Sequence, residues 1–215
     1  MSPRYTAAGR EAEYEPGSRG RVLRNRPGIR RVTDMQYAES AALDAVQEWA
    51  AGHFDAEHRF TADDVCELHR RWLGDIYPWA GEYRAVNVAK GGFMFAAAAQ
   101  VPRLMAEFGR KVLVKETPCA GMTPERLANA LAHTHGELVL IHPFREGNGR
   151  CARLLSLLMA MQAGMPTLDF SSFSGRGKKT YVAAIHAALN RDYAPLQACF
   201  ARAIAYASEQ FGELP

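Results

Sequence analysis

Between His142 and Arg153 the chain reads HPFREGNGRCAR: one histidine, one glutamate, three arginines and two glycines flanking an asparagine. The residues that follow, LLSLLMA, carry the pattern of a buried helix. Charge and bare backbone are therefore aimed at the start of a core helix. Unsatisfied N–H groups and the positive end of the helix dipole collect at such a place. Glycines at 147 and 149 let the backbone approach a ligand closely, and Asn148 adds a side-chain donor. The combination is a cradle for an anion. Its spacing is not GxxxxGK[ST], so it is not the phosphate loop of that nucleotide triphosphatase class.

The charged residues sharpen this. Arg150 and Arg153 fall in the first helical turn, where the dipole disfavours a cation by a few tenths to about 1 kcal/mol. An anion between them and the cradle reverses that sign. A polyphosphate fits, because guanidinium groups offer forked, charge-assisted bonds to its oxygens. Glu146 is then a carboxylate beside bound phosphate, the setting in which Mg²⁺ is held by one carboxylate, phosphate oxygens and waters. His142 titrates near neutrality and could take a proton from an attacking hydroxyl. Each feature alone has an ordinary reading, a loop histidine before proline or a Gly-Asn-Gly turn. Together, base, metal ligand and cradle describe a site that transfers a nucleotide or a phosphate.

The elements that must position this stretch are helices. Thr33-Asp34-Met35-Gln36 reads as a capping box, followed by apolar spacing through Ala41, Leu43, Val46 and Trp49. Thr61 opens a second helix carrying Val65, Leu68 and Trp72. Thr123 and Pro124 open a third, with Leu127, Leu131, Thr134 and Leu138 on one stripe and Pro143 ending it. The helix after the motif (Leu154, Leu155, Leu157, Leu158, Met159, Met161) is apolar on every face and is expected at the centre of the bundle, ending at Gly164 and Pro166. Two more helices are expected near 177–190 and 193–210. Residues 80–88 alternate as a strand does, Lys90-Gly91-Gly92 makes a turn, and Phe93-Met94-Phe95 returns. Such a hairpin is marginal unless it packs on something, so one or two of those three apolar side chains are expected to face the bundle. The fold expected is a single all-α domain with a protruding β-hairpin: a basic arm over 1–32, the domain over 33–210 and a tail over 211–215.

Composition excludes several classes. The 215 residues are 48% hydrophobic and 23% charged, as in ordinary globular proteins. Net charge is +3, too little to argue for nucleic acid or membrane. Residues 1–31 hold eight Arg against three Glu, a local +5, which leaves −2 for the remainder. A basic arm suits nucleic acid or an acidic partner, or simply a solvated arm folded along the domain, the reading taken here. Cys66, Cys119, Cys151 and Cys199 form no CxxC pair, which points to reduced thiols. No signal-peptide or membrane-spanning run is present in the sequence, so a cytoplasmic protein with no membrane or direct nucleic-acid partner is expected.

HPFREGNGRCAR resembles the Fic motif HxFx[D/E]GNGRxxR at every specified position, namely His142, Phe144, Glu146, Gly147, Asn148, Gly149, Arg150 and Arg153. IYPWAGEYRAVNVAKGGFMFA is similar to the Fic hairpin, or flap, and RVLRNRPGI to the opening of stand-alone Fic toxins. The resemblance implies a helical enzyme that moves AMP from ATP to a Ser, Thr or Tyr hydroxyl of a target protein, releasing pyrophosphate. It implies His142 as general base and Glu146 as Mg²⁺ ligand. Gly147, Asn148, Gly149 and Arg150 would hold the phosphates, and Arg153 the γ-phosphate end. Phe144 would anchor the loop. Lys90 and Gly91 of the flap join the binding residues, and the flap would pair with an extended target segment.

Many Fic proteins are restrained by a helix bearing [S/T]xxxE[G/N], whose glutamate pairs with the second motif arginine. No Ser or Thr here has Glu four residues on; the nearest is Ser40 with Asp44, followed by Ala45. The resemblance therefore implies a toxin restrained by a separate small antitoxin that carries this helix. Similar toxins modify the ATP-binding subunits of DNA gyrase and topoisomerase IV, which makes such a subunit the implied target. Alternatives are transfer of another group, a secreted effector, or an inactive protein-binding relative. His133 and His135 are two apart and point to opposite sides of a helix, a poor zinc arrangement. Tyr181, Asn190 and Tyr193 lie where the family lines its base pocket, although core packing or capping would explain them equally.

Overall fold

The computed structural model describes residues 6–7, 11 and 13–211. In chain order it runs β1 (Thr6–Ala7), α1 (Val32–His53), α2 (Ala62–Leu73), β2 (Val88–Lys90), β3 (Phe93–Met94), α3 (Val101–Phe108), α4 (Val114–Glu116), α5 (Pro124–Ile141), α6 (Asn148–Gln162), α7 (Lys178–Ala188) and α8 (Ala194–Phe211). The fold is helical, with the hairpin as expected. The strands lie in the order β1-β2-β3, both pairs antiparallel, with Ala89 opposite Thr6 on one side and Met94 on the other.

Local chemistry sets most helix ends. Thr61 and Asp64 form a reciprocal capping box on α2: the Asp64 N–H donates to the Thr61 hydroxyl, and the Thr61 N–H donates to the Asp64 carboxylate. Thr123 caps α5 with Pro124 in its first turn. The box expected at Thr33 does not form. α1 starts at Val32 with no side-chain cap, and the Thr33 hydroxyl donates to Asp34 instead. The Arg26 N–H ties the arm to the carbonyl of Ile76. Of the expected tail only Phe211 is described, and it closes α8.

The bundle is centred on α5 rather than on α6. α5 packs against α6 and α8 and also touches α3 and α7. Its stripe of Leu127, Leu131, Thr134 and Leu138 is buried, as are Ala128, Ala132, His135 and Val139 around it. α6 buries most of its length, but Leu157 is half-buried and Met161 is exposed, so its apolar far face is not fully covered. Each fully buried leucine contributes about 1.5–3 kcal/mol.

Two segments depart from the expected pattern. Residues 80–87 do not form a strand. Their backbone N–H groups bond outside any strand ladder: Gly81 to His69 Nδ1 of α2, Arg84 to the Pro143 carbonyl in the loop after α5, and Ala85 to the Glu11 carboxylate. The second is helical: α3 runs through a π turn (Gly109–Leu113) into α4. Val101, Met105, Phe108, Val112 and Leu113 are its buried stripe, and the sequence reading leaves it out. The four cysteines are free and buried. Burial pushes the Cys119 thiol to about 12. Among the described residues no helix is long and apolar enough to cross a membrane.

Three buried groups tie stability to pH. Burial, reinforced by the Arg153 charge, holds His135 at about 3. Burial likewise pulls His69 to about 3. Burial pushes the Glu116 carboxyl up, but bonds from His133 (2.9 Å) and Arg126 (2.5 Å) prevail and hold it at about 2. The histidines stay neutral in the fold but bind protons below their ordinary 6.5 once unfolded. Acidification below that value therefore favours unfolding. Glu116 adds a loss in the same direction between 4.5 and about 2. The urea midpoint should stay level from about pH 7 to 8 and fall below 6, with each histidine costing about 2 kcal/mol at pH 5. A midpoint unchanged down to pH 5 would contradict neutral, buried histidines.

Candidate active site

The motif begins where α5 stops. Pro143 cannot continue the helix, and His142 takes a left-handed conformation at its C-terminus (φ 54°, ψ 59°). His142 Nδ1 lies 2.9 Å from the carbonyl of Val139. A carbonyl only accepts, so Nδ1 carries the proton and Nε2 the lone pair, the tautomer a general base needs. The Phe95 ring stacks on the imidazole with centroids 3.6 Å apart. Arg84 braces the turn from beneath: its buried guanidinium donates to the carbonyls of His142 (2.7 Å), Val86 (2.8 Å) and Ala96 (2.5 Å).

The loop that follows is held from inside. Phe144 is fully buried and stacks on His69 at 3.8 Å. The Gly81 N–H occupies His69 Nδ1, so Nε2–H is the donor to the Glu146 carbonyl at 3.1 Å. Asn148 accepts from the Phe144 N–H and donates to the Phe144 carbonyl, each at 2.8 Å. Its carboxamide is thus taken up by the loop itself, and the side-chain donor expected for a ligand is not aimed at one. Only its main chain is placed to serve the cradle. Gly147 has φ +84°, and a Cβ there would stand 2.7 Å from Trp72. The glycine is required by conformation and by space. The Arg145 side chain donates to the Glu11 carbonyl at 2.8 Å, joining the arm to the loop.

The structure brings the charged motif residues together at the start of α6. Arg150 Nη1 is 2.7 Å from Glu39 of α1, and Nη2 is 3.5 Å from Glu146. The guanidinium lies over Trp72 at 4.6 Å. Its Nε and Nη2 are buried and find no hydrogen-bond acceptor among the described residues, which suits an anionic ligand. Arg153 folds back over Gly149, 3.7 Å from where a Cβ would stand. Among the described residues no three His, Cys, Asp or Glu could jointly hold a metal. A single buried carboxylate, Glu146, fits Mg²⁺ that brings phosphate oxygens and waters as its other ligands, and does not fit an all-protein cage.

Residues 59–160 match the model of the Fic/DOC family. This stretch is a Fic domain. The chain is 29% identical over 216 residues to the "Probable protein adenylyltransferase Fic" of Salmonella typhimurium, covering 97% of this chain and 99% of that protein. It is 29% identical over 143 residues to the protein adenylyltransferase VbhT of Bartonella schoenbuchensis, 66% of this chain but 30% of that one. To fic-1 of Caenorhabditis briggsae it is 37% identical over 153 residues, 71% and 28% of the two chains. The chain therefore spans under a third of the latter two relatives. Among solved structures, BepC of Bartonella tribocorum superposes with TM-score 0.68 at 21% identity, covering 84% of this chain and 91% of that one, and shares the fold.

Outside the motif the structure places the remaining candidates differently. Lys90 and Gly91 sit at the exposed hairpin turn, where Gly91 and Gly92 both have positive φ. Phe93 stacks on His186 and Phe95 on His142, while Met94 is exposed, so two of the three apolar flap residues pack. His133 and His135 diverge, one to Glu116 and the other to Ser156 and Tyr181. The Tyr181 hydroxyl bonds His135 at 2.8 Å and the Tyr193 hydroxyl donates to Glu137 at 2.5 Å, both joining helices. The Asn190 N–H donates to the Ala187 carbonyl at the end of α7.

Sequence reasoning missed Glu39, His69, Arg84 and Phe95 as members of the site. Glu39 did carry a signal, because it shares the buried face of α1 with Met35, Val46 and Ala50. A carboxylate on an apolar stripe needs a buried partner. Gly147→Ala should cost about 1–3 kcal/mol in denaturant unfolding, through a strained φ and a clash with Trp72. Wild-type stability in that variant would show that the loop is not held as described.

Proposed function

We propose that this chain is a protein adenylyltransferase that moves AMP from ATP to a Ser, Thr or Tyr hydroxyl of another protein. The observation that carries the reading is the pairing of His142, fixed as the base tautomer, with a glycine-lined helix N-terminus flanked by Arg150 and Arg153. His142 Nε2 takes the hydroxyl proton. The hydroxyl oxygen bonds to the α-phosphorus, the bond from that phosphorus to the β-bridging oxygen breaks, and pyrophosphate leaves. Positioning the two oxygens in line supplies most of the rate. Proton removal adds about 10²–10⁴-fold. Gly147, Asn148 and Gly149 hold phosphate through main-chain N–H groups, Arg150 contacts it, and Arg153 holds the γ end. Glu146 would hold Mg²⁺, which neutralises phosphate charge.

Relatives named as adenylyltransferases, one of them matched over nearly its full length, support the activity. Solved Fic domains with bound AMPPNP and ADP support ATP as the donor. A target segment would add as a strand to the hairpin, whose outer edge among the described residues is β3. The absence of [S/T]xxxE[G/N] from the sequence supports a toxin whose restraining glutamate arrives at Arg153 on a separate antitoxin. The ATPase subunit of DNA gyrase or topoisomerase IV is the proposed target class.

ATP labelled separately at its α- and γ-phosphates, incubated with bacterial lysate and magnesium, tests the reaction. The α label should stay on protein and the γ label should not; γ label on protein would indicate phosphoryl transfer instead. His142→Ala should lower transfer by at least about 100-fold with ATP affinity retained. If affinity falls as far as transfer does, His142 is structural. Arg153→Ala should weaken nucleotide binding, and unchanged affinity and rate would remove Arg153 from the phosphate site.

A further inference from the structure

A glutamate outside the motif reaches into it. Glu39 lies on α1, beyond the stretch matched by the family model, and is buried. Its Oε2 is 2.7 Å from Arg150 Nη1, and its Oε1 accepts from the Tyr77 hydroxyl at 2.8 Å. Burial and the neighbouring Glu39 charge push the Tyr77 phenol up, so it remains a donor. The Glu39 carbonyl accepts from Trp72 Nε1 at 2.8 Å, and Trp72 is the ring that lies under Arg150 and against Gly147. One residue of α1 therefore fixes the charge, the direction and the platform of Arg150.

On its other side Arg150 stands 3.5 Å from Glu146. An uncompensated guanidinium there would oppose a dication on Glu146 and compete with it for the carboxylate, strongly so in a buried site. Glu39 offsets that charge. We propose that Glu39 is a positioning residue: by holding and neutralising Arg150, it directs the Glu146 carboxylate to the divalent cation of the bound nucleotide. The inference rests on the nucleotide-transfer reading of the site.

Mn²⁺ binding, read by electron paramagnetic resonance on the full chain with saturating α,β-methylene-ATP, tests this without turnover. Glu39→Gln keeps the shape of the side chain and its acceptor for Tyr77. It should weaken Mn²⁺ binding about 10- to 100-fold, as loss of a partner behind a metal ligand does. Metal-free nucleotide affinity should stay within about threefold, since the phosphate contacts remain. Glu39→Asp, which keeps the charge, should recover most of the Mn²⁺ affinity. A folded Glu39→Gln variant that binds Mn²⁺ as the wild type does, or more tightly, overturns the proposal; the tighter case would make Glu39 a restraint. Should that variant not fold, Glu39→Asp is read alone, since it keeps the charge and leaves Arg150 in place: Mn²⁺ affinity within about threefold of the wild type supports charge balance, and a 10- to 100-fold loss contradicts it. If the wild type itself binds no Mn²⁺ with the nucleotide, the reading of the site fails together with the inference.

Discussion

The carboxamide of Asn148, closed on both main-chain groups of Phe144, is the contact on which the site depends. A run of glycines and like charges at a helix start cannot hold its own shape. Here the side chain that could have met a ligand ties the loop into a ring, and the backbone amides are left to face outward from α6. His69 and Trp72 finish the work from α2, one bonding the Glu146 carbonyl and the other filling the space a Cβ at Gly147 would need. The turn at His142 is fixed by the same logic, with Arg84 bonding its carbonyl and Val139 accepting from its ring.

Electrostatics divides the site into two halves. Towards α1 and α2, Arg150 is sandwiched between Glu39, Glu146 and the face of Trp72, so its charge is largely offset within the protein. Towards α5 and α7, Arg153 lies near His135 and Tyr181, which burial keeps neutral and which therefore bring no opposing charge.

Much of this was legible in the sequence, and the rest was not for physical reasons. HPFREGNGRCAR carries local information: proline stops α5, glycine permits the turn, and the apolar run buries α6. The hairpin turn and the caps at Thr61 and Thr123 are local too, and they form as read. Residues 80–87 failed because alternation reports which side chains face inward, not whether the backbone finds a ladder; there it bonds His69, the loop after α5 and Glu11 instead. α1 found no cap at Thr33 because Val32 already begins the helix. The expectation that α6 is the centre counted its apolar residues but could not see which elements cover them. Glu39 and Arg150 are 111 residues apart, and no periodicity links them. Only the odd placement of a carboxylate on an apolar stripe marked one end of that pair.

On this geometry the phosphate cradle is built before the nucleotide arrives. Crystal structures of the full chain, unliganded and with magnesium and α,β-methylene-ATP, address it directly. Residues 143–149 should superpose within about 1 Å between the two, with phosphate oxygens on the main-chain N–H groups at the start of α6. A loop that refolds on binding, or a nucleotide seated away from that helix end, would contradict it.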